Sequence, residues 1–203
     1  IIECQQLILK KIAMKKIATI ITTLFLSTFL FAQTTWKADP MHSKLTFSTV
    51  HNGISDIVGL FKTFEITATT TKTDFSDAAF ELSTDVASIN TEVEMRDQHL
   101  RSDEFFDVEN YPKMTFKSTS IQKTEKDKYK LKGQLTLHGI TKQVVVTMWY
   151  RGTIENPQSK APTAGFKFST IIKRPDFNLG SKFPAPMISD EVKITADSEF
   201  IKQ

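Results

Sequence analysis

The alternation of apolar and polar residues constrains the fold of this chain more than any other feature of its sequence. In one stretch Tyr129, Leu131, Leu135 and Leu137 alternate with Lys130, Lys132, Gln134 and Thr136. A period of two is typical of a strand with one buried face. Similar runs predict about eight strands, one of them a long run from Ile57 to Lys72. Eight mostly antiparallel strands fit either a closed barrel or a sandwich.

One segment does not follow this alternation. Residues 91–101 predict a helix, with Asn90 or Thr91 as its N-cap and Glu92 and Glu94 in its first turn. Turn residues separate the predicted strands at Asn52-Gly53, Asp74 to Asp77, Lys126-Asp127 and His138-Gly139. The pattern therefore indicates an all-β protein with one short helical insertion.

The N-terminal segment has the features of a secretory signal peptide. Met14-Lys15-Lys16 forms a short basic region, an uncharged and mostly apolar run follows from Ile17 to Phe31, and Ala32 offers a small residue for cleavage. The run of about 15 residues is shorter than the roughly 20 that span a bilayer. We expect residues 1–32 to be an upstream extension plus a cleaved leader, with an uncleaved anchor as the alternative. No cysteine follows the run, which excludes a lipoprotein cysteine, so we expect a periplasmic or secreted protein.

The charge balance changes once this leader is set aside. It holds four of the 26 Lys and Arg residues and one of the 23 Asp and Glu residues, which leaves 22 of each sign in residues 33–203. A global basic field for nucleic acid is then missing. The only cysteine is Cys4, so we expect no disulfide, thiol catalysis or cysteine-bound metal after export. No linker divides residues 33–203, which we predict to be one domain.

An ordered set of short motifs makes residues 36–201 resemble the YceI-like family of exported, lipocalin-like proteins. The matching segments are Trp36, Asp39-Pro40, His42-Ser43, Phe47, His51, Gly59-Leu60-Phe61, Ser88 to Thr91, Arg96 to Ser102, Phe105-Phe106-Asp107, Tyr111-Pro112, Phe116-Lys117-Ser118, Gly133 to Thr136, His138 to Lys142, Gly165-Phe166, Arg174 to Phe177 and Asp190-Glu191-Val192. The resemblance implies an extended eight-stranded antiparallel barrel that holds a polyisoprenoid or similar long-chain amphiphile in its lumen. It implies no established catalytic reaction and no cofactor other than that ligand.

The strand faces and the charged segment supply candidate ligand-binding residues. The predicted lumen residues are Leu45, Phe47, Phe80, Leu82, Phe116, Leu131, Leu135, Val146, Met148, Phe166, Phe168 and Ile194. The predicted headgroup residues at the rim are His51, Arg96, His99 and Arg101. Arginine can grip a phosphate or carboxylate with two parallel hydrogen bonds. The alternatives are structural: Asp97 and Arg101 as a helical ion pair, with Arg96 pinning the helix to the barrel.

Catalysis finds little support in the residues. Ser43 beside His42 cannot form a triad, since neighbours in a strand point to opposite faces. We find no nucleophile elbow, phosphate loop or metal motif. We therefore expect an exported lipid-binding protein that serves transport, storage or stress protection, and not an enzyme. A lipid-acting enzyme with His99 or His51 as base, and a filled barrel acting through its surface, stay open. So do the natural ligand, the pathway and whether the protein forms a homodimer.

Overall fold

A computed structural model of the chain describes residues 33–203. These residues form strands and short helices around a central core. The strands are β1 (Thr34–Ala38), β2 (Lys44–His51), β3 (Ser55–Phe61), β4 (Phe64–Thr70), β5 (Ala79–Asp85), β6 (Ile89–Asn90), β7 (Lys113–Glu125), β8 (Lys128–Leu137), β9 (Ile140–Glu155), β10 (Pro162–Lys173) and β11 (Glu191–Lys202). The one α-helix within residues 33–203 is α1 (Glu94–Arg101), and 3₁₀ turns cover Pro40–His42, Val86–Ser88 and Arg174–Phe177.

The strands form a closed antiparallel barrel. Strands β1, β4, β5, β7, β8, β9, β10 and β11 are neighbours in that order, and pairing of β1 with β11 closes the ring. Strands β2, β3 and β6 extend the same sheet beyond β11. Closure removes the exposed edges that would otherwise invite aggregation. The predicted eight-stranded barrel with one short helical insertion is thus confirmed.

Three of the eight barrel strands are interrupted, which is why the structure has more strand segments than the sequence predicts. Strands β1 and β2 both pair with β11, on either side of the 3₁₀ turn that starts at Pro40. The predicted long strand over 57–72 divides at Lys62 and Thr63. There the backbone N–H of Lys62 donates to the carbonyl of Ser88, and that of Thr63 to its hydroxyl. The single-strand prediction is wrong at this point, because Ser88 takes donors that a continuous ladder would use.

The hairpin turns fall where the turn residues predict them. Asn52 and Gly53 both have positive φ, at 51° and 71°, and connect β2 to β3. His138 and Gly139 do the same between β8 and β9, at 49° and 71°. Gly139 is required there for a second reason, since a Cβ at this position would lie 2.5 Å from the ring of Tyr111. The backbone accepts these values readily only at Gly and, less often, at Asn or His.

Aromatic rings fill one end of the barrel. Phe75, from the loop between β4 and β5, packs edge-on against Phe166 with ring centroids 4.8 Å apart and against Trp36 at 5.2 Å. Phe80 packs in the same way against Phe168, at 5.2 Å. Burial of each such ring contributes roughly 2–3 kcal/mol. These rings form packed core, and Phe80 and Phe168 mark its boundary with the cavities described below.

Within residues 33–203, no helix is both long and apolar enough to cross a bilayer. The predicted leader, residues 1–32, lies outside the described residues.

Candidate functional site

The barrel interior is open at the end that carries helix α1. A cavity of about 320 Å³, which we call the outer cavity, lies beneath the helix and the 178–190 loop. Its wall is mostly apolar, and the polar side chains that reach it belong to Thr49, His51, Thr91, Arg96, His99 and Arg174. Its volume lies within the range of about 300–1,000 Å³ that is typical of small-molecule sites. The cavity can therefore take an apolar group together with a polar one.

A smaller, almost wholly apolar cavity of about 70 Å³ lies deeper in the barrel. We call it the inner cavity, and it shares Met114 and Ile194 with the wall of the outer cavity. Nine predicted lumen residues line it: Leu45, Phe80, Leu82, Phe116, Leu131, Leu135, Val146, Phe168 and Ile194. Phe47 lines the outer cavity instead. Met148 and Phe166 are buried in the packed core and line neither of these two cavities.

Helix α1 is fixed to the barrel by a buried carboxylate. Asp97 is 1% exposed, and its Oδ1 accepts the backbone N–H of Thr91 at 2.8 Å as well as the Thr91 hydroxyl. The helix begins after Val93, which makes no side-chain capping bond. The predicted N-cap at Asn90 or Thr91 is therefore wrong, and Asp97 does not form the ion pair with Arg101 that was one structural alternative. Asp97 instead satisfies backbone and hydroxyl donors that precede the helix.

Arg96 combines structural contacts with donors that these contacts do not use. Its Nε donates to the hydroxyl of Thr91 at 2.7 Å, and its Nη2 donates to the Thr91 carbonyl at 2.8 Å. Among residues 33–203, no acceptor takes a hydrogen bond from Nη1. Arg96 also lines the outer cavity. Because a guanidinium carries five N–H donors, this arrangement leaves donors of Arg96 for an anionic or carbonyl group in the cavity.

Arg101 serves a different purpose from Arg96. Its Nε donates to the carbonyl of Ala87 and its Nη2 to that of Ile89, both at 2.9 Å. Its Nη1 lies 3.6 Å from the carboxylate of Glu94 on the same helix. Arg101 does not line the outer cavity. These contacts tie the end of helix α1 to the segment before it.

His99 lines the outer cavity and is held by a carboxylate. Its Nε2 lies 2.7 Å from Oε2 of Glu104, whose other oxygen accepts from Nζ of Lys182 at 2.7 Å. These hydrogen bonds, first from Lys182 and then from His99, hold the pKa of Glu104 below its ordinary value. Lys182 belongs to the 178–190 loop, so Glu104 connects this loop to His99 of helix α1.

Aromatic stacking supports the same connection. The rings of Phe105 and Phe183 stack with centroids 5.0 Å apart, and His99 packs edge-on against both. Gly180 permits this packing, since its φ is +60° and a Cβ there would lie 2.5 Å from the ring of Phe105. Phe105 and Phe183 were not among the predicted site residues, although Phe105 lies in one of the segments that carry the resemblance described above. Both residues line the outer cavity.

Arg174 organises the 178–190 loop and was not predicted as a site residue. Its guanidinium is buried and donates to the carbonyls of Leu179, Gly180, Phe183, Ile188 and Ser189 at 2.7–3.2 Å. Burial lowers the pKa of Arg174, which the nearby Asp190 partly offsets, but an arginine remains charged in a protein. Asn178 directly follows Phe177 and ends the 3₁₀ turn. Asn178 adopts a left-handed φ of 55°, which glycine would also accept.

The histidines of β2 and its flanking turn separate in the structure. His51 lies at the end of β2, bridges to Ile188 of the 178–190 loop and lines the outer cavity. His42 lies in the 3₁₀ turn, where its Nδ1 is 2.6 Å from Asp39. This hydrogen bond raises the pKa of His42. Of the predicted rim residues, the structure thus brings His51, Arg96 and His99 to one cavity.

In the part of the chain that the structure describes, no three His, Cys, Asp or Glu side chains lie close enough together to hold a metal ion.

Residues 36–200 match the family model described as YceI-like domain. The chain belongs to the YceI-like family. It is 35% identical to protein YceI of Salmonella arizonae over 163 residues, which cover 80% of this chain and 83% of that protein. The Burkholderia cenocepacia protein BcnA is similar in structure, with a TM-score of 0.70 and 25% identity over 80% of this chain and 98% of that one.

A domain of lower sequence identity shares the fold. A domain from Saccharophagus degradans, described as a polyisoprenoid-binding domain implicated in plant cell wall breakdown, has a TM-score of 0.62 and 16% identity. The match covers 83% of this chain and 98% of that domain. At this identity the similarity shows the barrel fold of YceI-like proteins.

Proposed function

We propose that residues 33–203 bind one long-chain amphiphile of the polyisoprenoid, quinone-like or fatty class, with its tail in the inner cavity and its headgroup in the outer cavity. The observation that carries this proposal is the polarity of the two cavities. The inner cavity has an almost wholly apolar wall, whereas Arg96, His51 and His99 all lie at the outer one. An amphiphile has the same division along its length.

Burial of the tail would supply most of the binding free energy. Apolar surface removed from water contributes roughly 25 cal/mol for each Å², which is offset by the loss of conformational freedom on binding. Met114 and Ile194 separate the two cavities. Methionine is unbranched and readily changes rotamer, so we infer that Met114 moves aside when a long tail passes into the inner cavity.

The headgroup would be recognised mainly by Arg96. Two hydrogen bonds to Thr91 hold the guanidinium of Arg96 in place. Its remaining N–H donors are therefore fixed in position as well. A phosphate or carboxylate would accept them bidentately, and a quinone carbonyl would accept one of them. The similarity to the polyisoprenoid-binding domain of Saccharophagus degradans supports this class of ligand. Arg101 is assigned to the fold because its donors are used by backbone carbonyls.

The protein is proposed to be an exported carrier or store of this lipid, acting in the periplasm or outside the cell. The features of residues 1–32 described above support export. N-terminal sequencing of the protein recovered from the exported fraction tests this part of the proposal. A start close after Ala32 supports it, and a protein retained in the cytoplasm with its leader intact contradicts it.

A second candidate function is a lipid-acting hydrolase or isomerase. The observation that favours it is the 2.7 Å contact between His99 and Glu104 beside the outer cavity, since a carboxylate that orients a histidine is a common arrangement of a general base. Ser102 carries the hydroxyl that is nearest to His99 in sequence, and this hydroxyl donates to the backbone carbonyl of His99. Turnover of a prenyl or acyl ester that is lost in His99→Gln would establish the enzyme, whereas unchanged substrate would favour the carrier.

Filling the outer cavity tests lipid binding directly. Val192 lies on the cavity wall, and Val58 lies on the outer face of β3 with 59% of its surface exposed. We expect Val192→Trp to abolish binding of geranylgeraniol, measured by co-purification and extraction, while the matched Val58→Trp binds as the wild type does. Circular dichroism checks that both variants fold. No binding by the wild-type protein would instead support a barrel that acts through its surface.

A further inference from the structure

The outward side chains of strands β8 to β11 form a surface with two kinds of residue. Lys130 and Lys132 project from β8, and Lys193 from β11, while three large apolar side chains lie between them in the sheet. We call this surface the basic face, and define it by Lys130, Lys132, Val145, Trp149, Ile171 and Lys193. The outer and inner cavities lie on the other side of the same strands, so the basic face is distinct from the proposed lipid site.

The lysines of the basic face carry a local excess of positive charge. Within residues 33–203, Lys130, Lys132 and Lys193 form no ion pair. Their neighbours differ, because Lys128 lies 2.8 Å from Glu125 and Lys167 lies 3.4 Å from Asp197. Residues 33–203 carry equal numbers of acidic and basic side chains, 22 of each after subtraction of those in residues 1–32. The charge of the basic face is therefore a property of its arrangement and not of the composition.

The apolar residues of the basic face are exposed and lie beside lysines, although Trp149 pairs with Lys128 and Lys167 and not with the three lysines that define the face. Trp149, Val145 and Ile171 are 46%, 47% and 59% exposed. Val145 pairs with Lys132 across β8 and β9, and Ile171 pairs with Lys193 across β10 and β11. The hydroxyl of Thr170 donates to the carbonyl of Val145, which joins β9 to β10 at this point. The result is a sheet face in which apolar and cationic groups alternate.

We propose that the basic face docks the protein on an anionic lipid bilayer. Lysines near an anionic membrane surface each contribute about 1 kcal/mol of attraction, and tryptophan is enriched at the level of the lipid headgroups. The interspersed apolar side chains favour a bilayer over a soluble polyanion, because only a bilayer offers them an apolar region to enter. This inference goes beyond lipid binding in the barrel and does not depend on it.

The test is sedimentation of the whole protein with vesicles. One set consists of phosphatidylcholine alone, and the other of equal parts of phosphatidylcholine and phosphatidylglycerol. The variant Lys130→Glu/Lys132→Glu/Lys193→Glu reverses the charge of the basic face. Its matched control, Lys62→Glu/Lys113→Glu/Lys202→Glu, makes the same charge change at exposed lysines on other strands and turns. Circular dichroism confirms that both fold.

We expect the wild-type protein to bind the anionic vesicles and not the neutral ones, and the triple variant to bind at least about a hundredfold more weakly. The control variant should bind as the wild type does, and Trp149→Gln/Ile171→Gln should also weaken binding. Equal binding to both vesicle types, or equal losses in the variant and its control, would overturn the proposal. Binding to polyaspartate in solution without binding to vesicles would also overturn it. Geranylgeraniol binding, measured separately, should be unchanged in every variant.

Discussion

The carboxylate of Asp97, inside helix α1, accepts two hydrogen bonds from Thr91, which precedes the helix. One comes from the backbone N–H and one from the side-chain hydroxyl. Arg96 donates to the same residue from the other side, at its hydroxyl and its carbonyl. Thr91 is thereby held by two successive helical residues, and this fixes the helix that covers the outer cavity.

Replacement of Asp97 tests this anchor. We expect Asp97→Asn to lower the free energy of unfolding by about 2 kcal/mol, because buried hydrogen bonds to a charged group are each worth roughly 1.5–3 kcal/mol. Chemical denaturation measures the change. Asp103→Asn, at an exposed position after the helix, is the control and should change stability little. Equal stability of the two variants would show that the buried carboxylate does not hold the helix.

Arg96 and Arg101 should separate headgroup recognition from fold stability. We expect Arg96→Gln to weaken binding of geranylgeranyl phosphate about tenfold more than binding of geranylgeraniol, since a charged hydrogen bond is lost only with the phosphate. Arg101→Gln should lower stability but leave the ratio of the two affinities unchanged, because its donors are directed to Ala87 and Ile89. Titration of both lipids gives the ratios. If the wild type, Arg96→Gln and Arg101→Gln all gave the same ratio of the two affinities, Arg96 would not be part of the headgroup site.

Glu104 should control how fast the ligand leaves. It accepts hydrogen bonds from Lys182 of the 178–190 loop and contacts His99 of helix α1. We expect Glu104→Gln to increase the dissociation rate several-fold, because the neutral side chain holds Lys182 less well. Release of a bound prenyl lipid to acceptor vesicles measures that rate. Glu109→Gln, at an exposed position, is the matched control.

The ionisation of Glu104 should also make ligand release depend on pH. The pKa of Glu104 is lowered by its hydrogen bonds with Lys182 and His99, so its contribution is present above the ordinary pKa of a glutamate and is lost as the pH falls through the lower, folded value. The rate of ligand dissociation from the wild-type protein should therefore approach the rate of Glu104→Gln only at acid pH. Identical release rates at neutral pH would contradict this role.

Asp77 should contribute to stability over a defined pH range. Burial raises its pKa, but hydrogen bonds from the side chains of Thr70 and Thr71 and from the backbone of Thr71 and Lys72 outweigh this and hold the pKa at about 2. We expect Asp77→Asn to cost about 1 kcal/mol or less, since solvent screens this exposed site. The difference should be complete above the unfolded pKa of 3.8 and disappear as the pH falls towards 2. A difference that persists unchanged at pH 2 would show that ionisation of Asp77 is not its cause.

The strands were predictable because a strand face repeats every two residues, but this pattern left a barrel and a sandwich open, and the family resemblance predicted the barrel. Leu131 and Leu135 alternate with lysine and glutamine, and they line the inner cavity on the face that the alternation indicates. Alternation cannot show where a face is packed and where it is open. Phe166 and Phe168 share a face of β10, yet only Phe168 reaches the inner cavity, because Phe75 from a distant loop packs against Phe166.

The parts of the site that depend on backbone groups were not predictable. Arg174 donates to carbonyls of the 178–190 loop, and every residue type carries such a carbonyl. The anchor of helix α1 was missed for a related reason. A capping side chain ordinarily bonds within three residues, whereas Asp97 reaches back six residues to Thr91.

We propose above that the barrel of residues 33–203 holds a lipid. Native mass spectrometry of the protein purified from its own exported fraction, followed by lipid extraction, tests this most directly. We predict a discrete adduct with the mass of a prenyl, quinone or fatty amphiphile, present in the wild-type protein and in Val58→Trp but absent from Val192→Trp. A folded wild-type protein that carries no adduct, and gains none when incubated with prenyl lipids, would contradict the account.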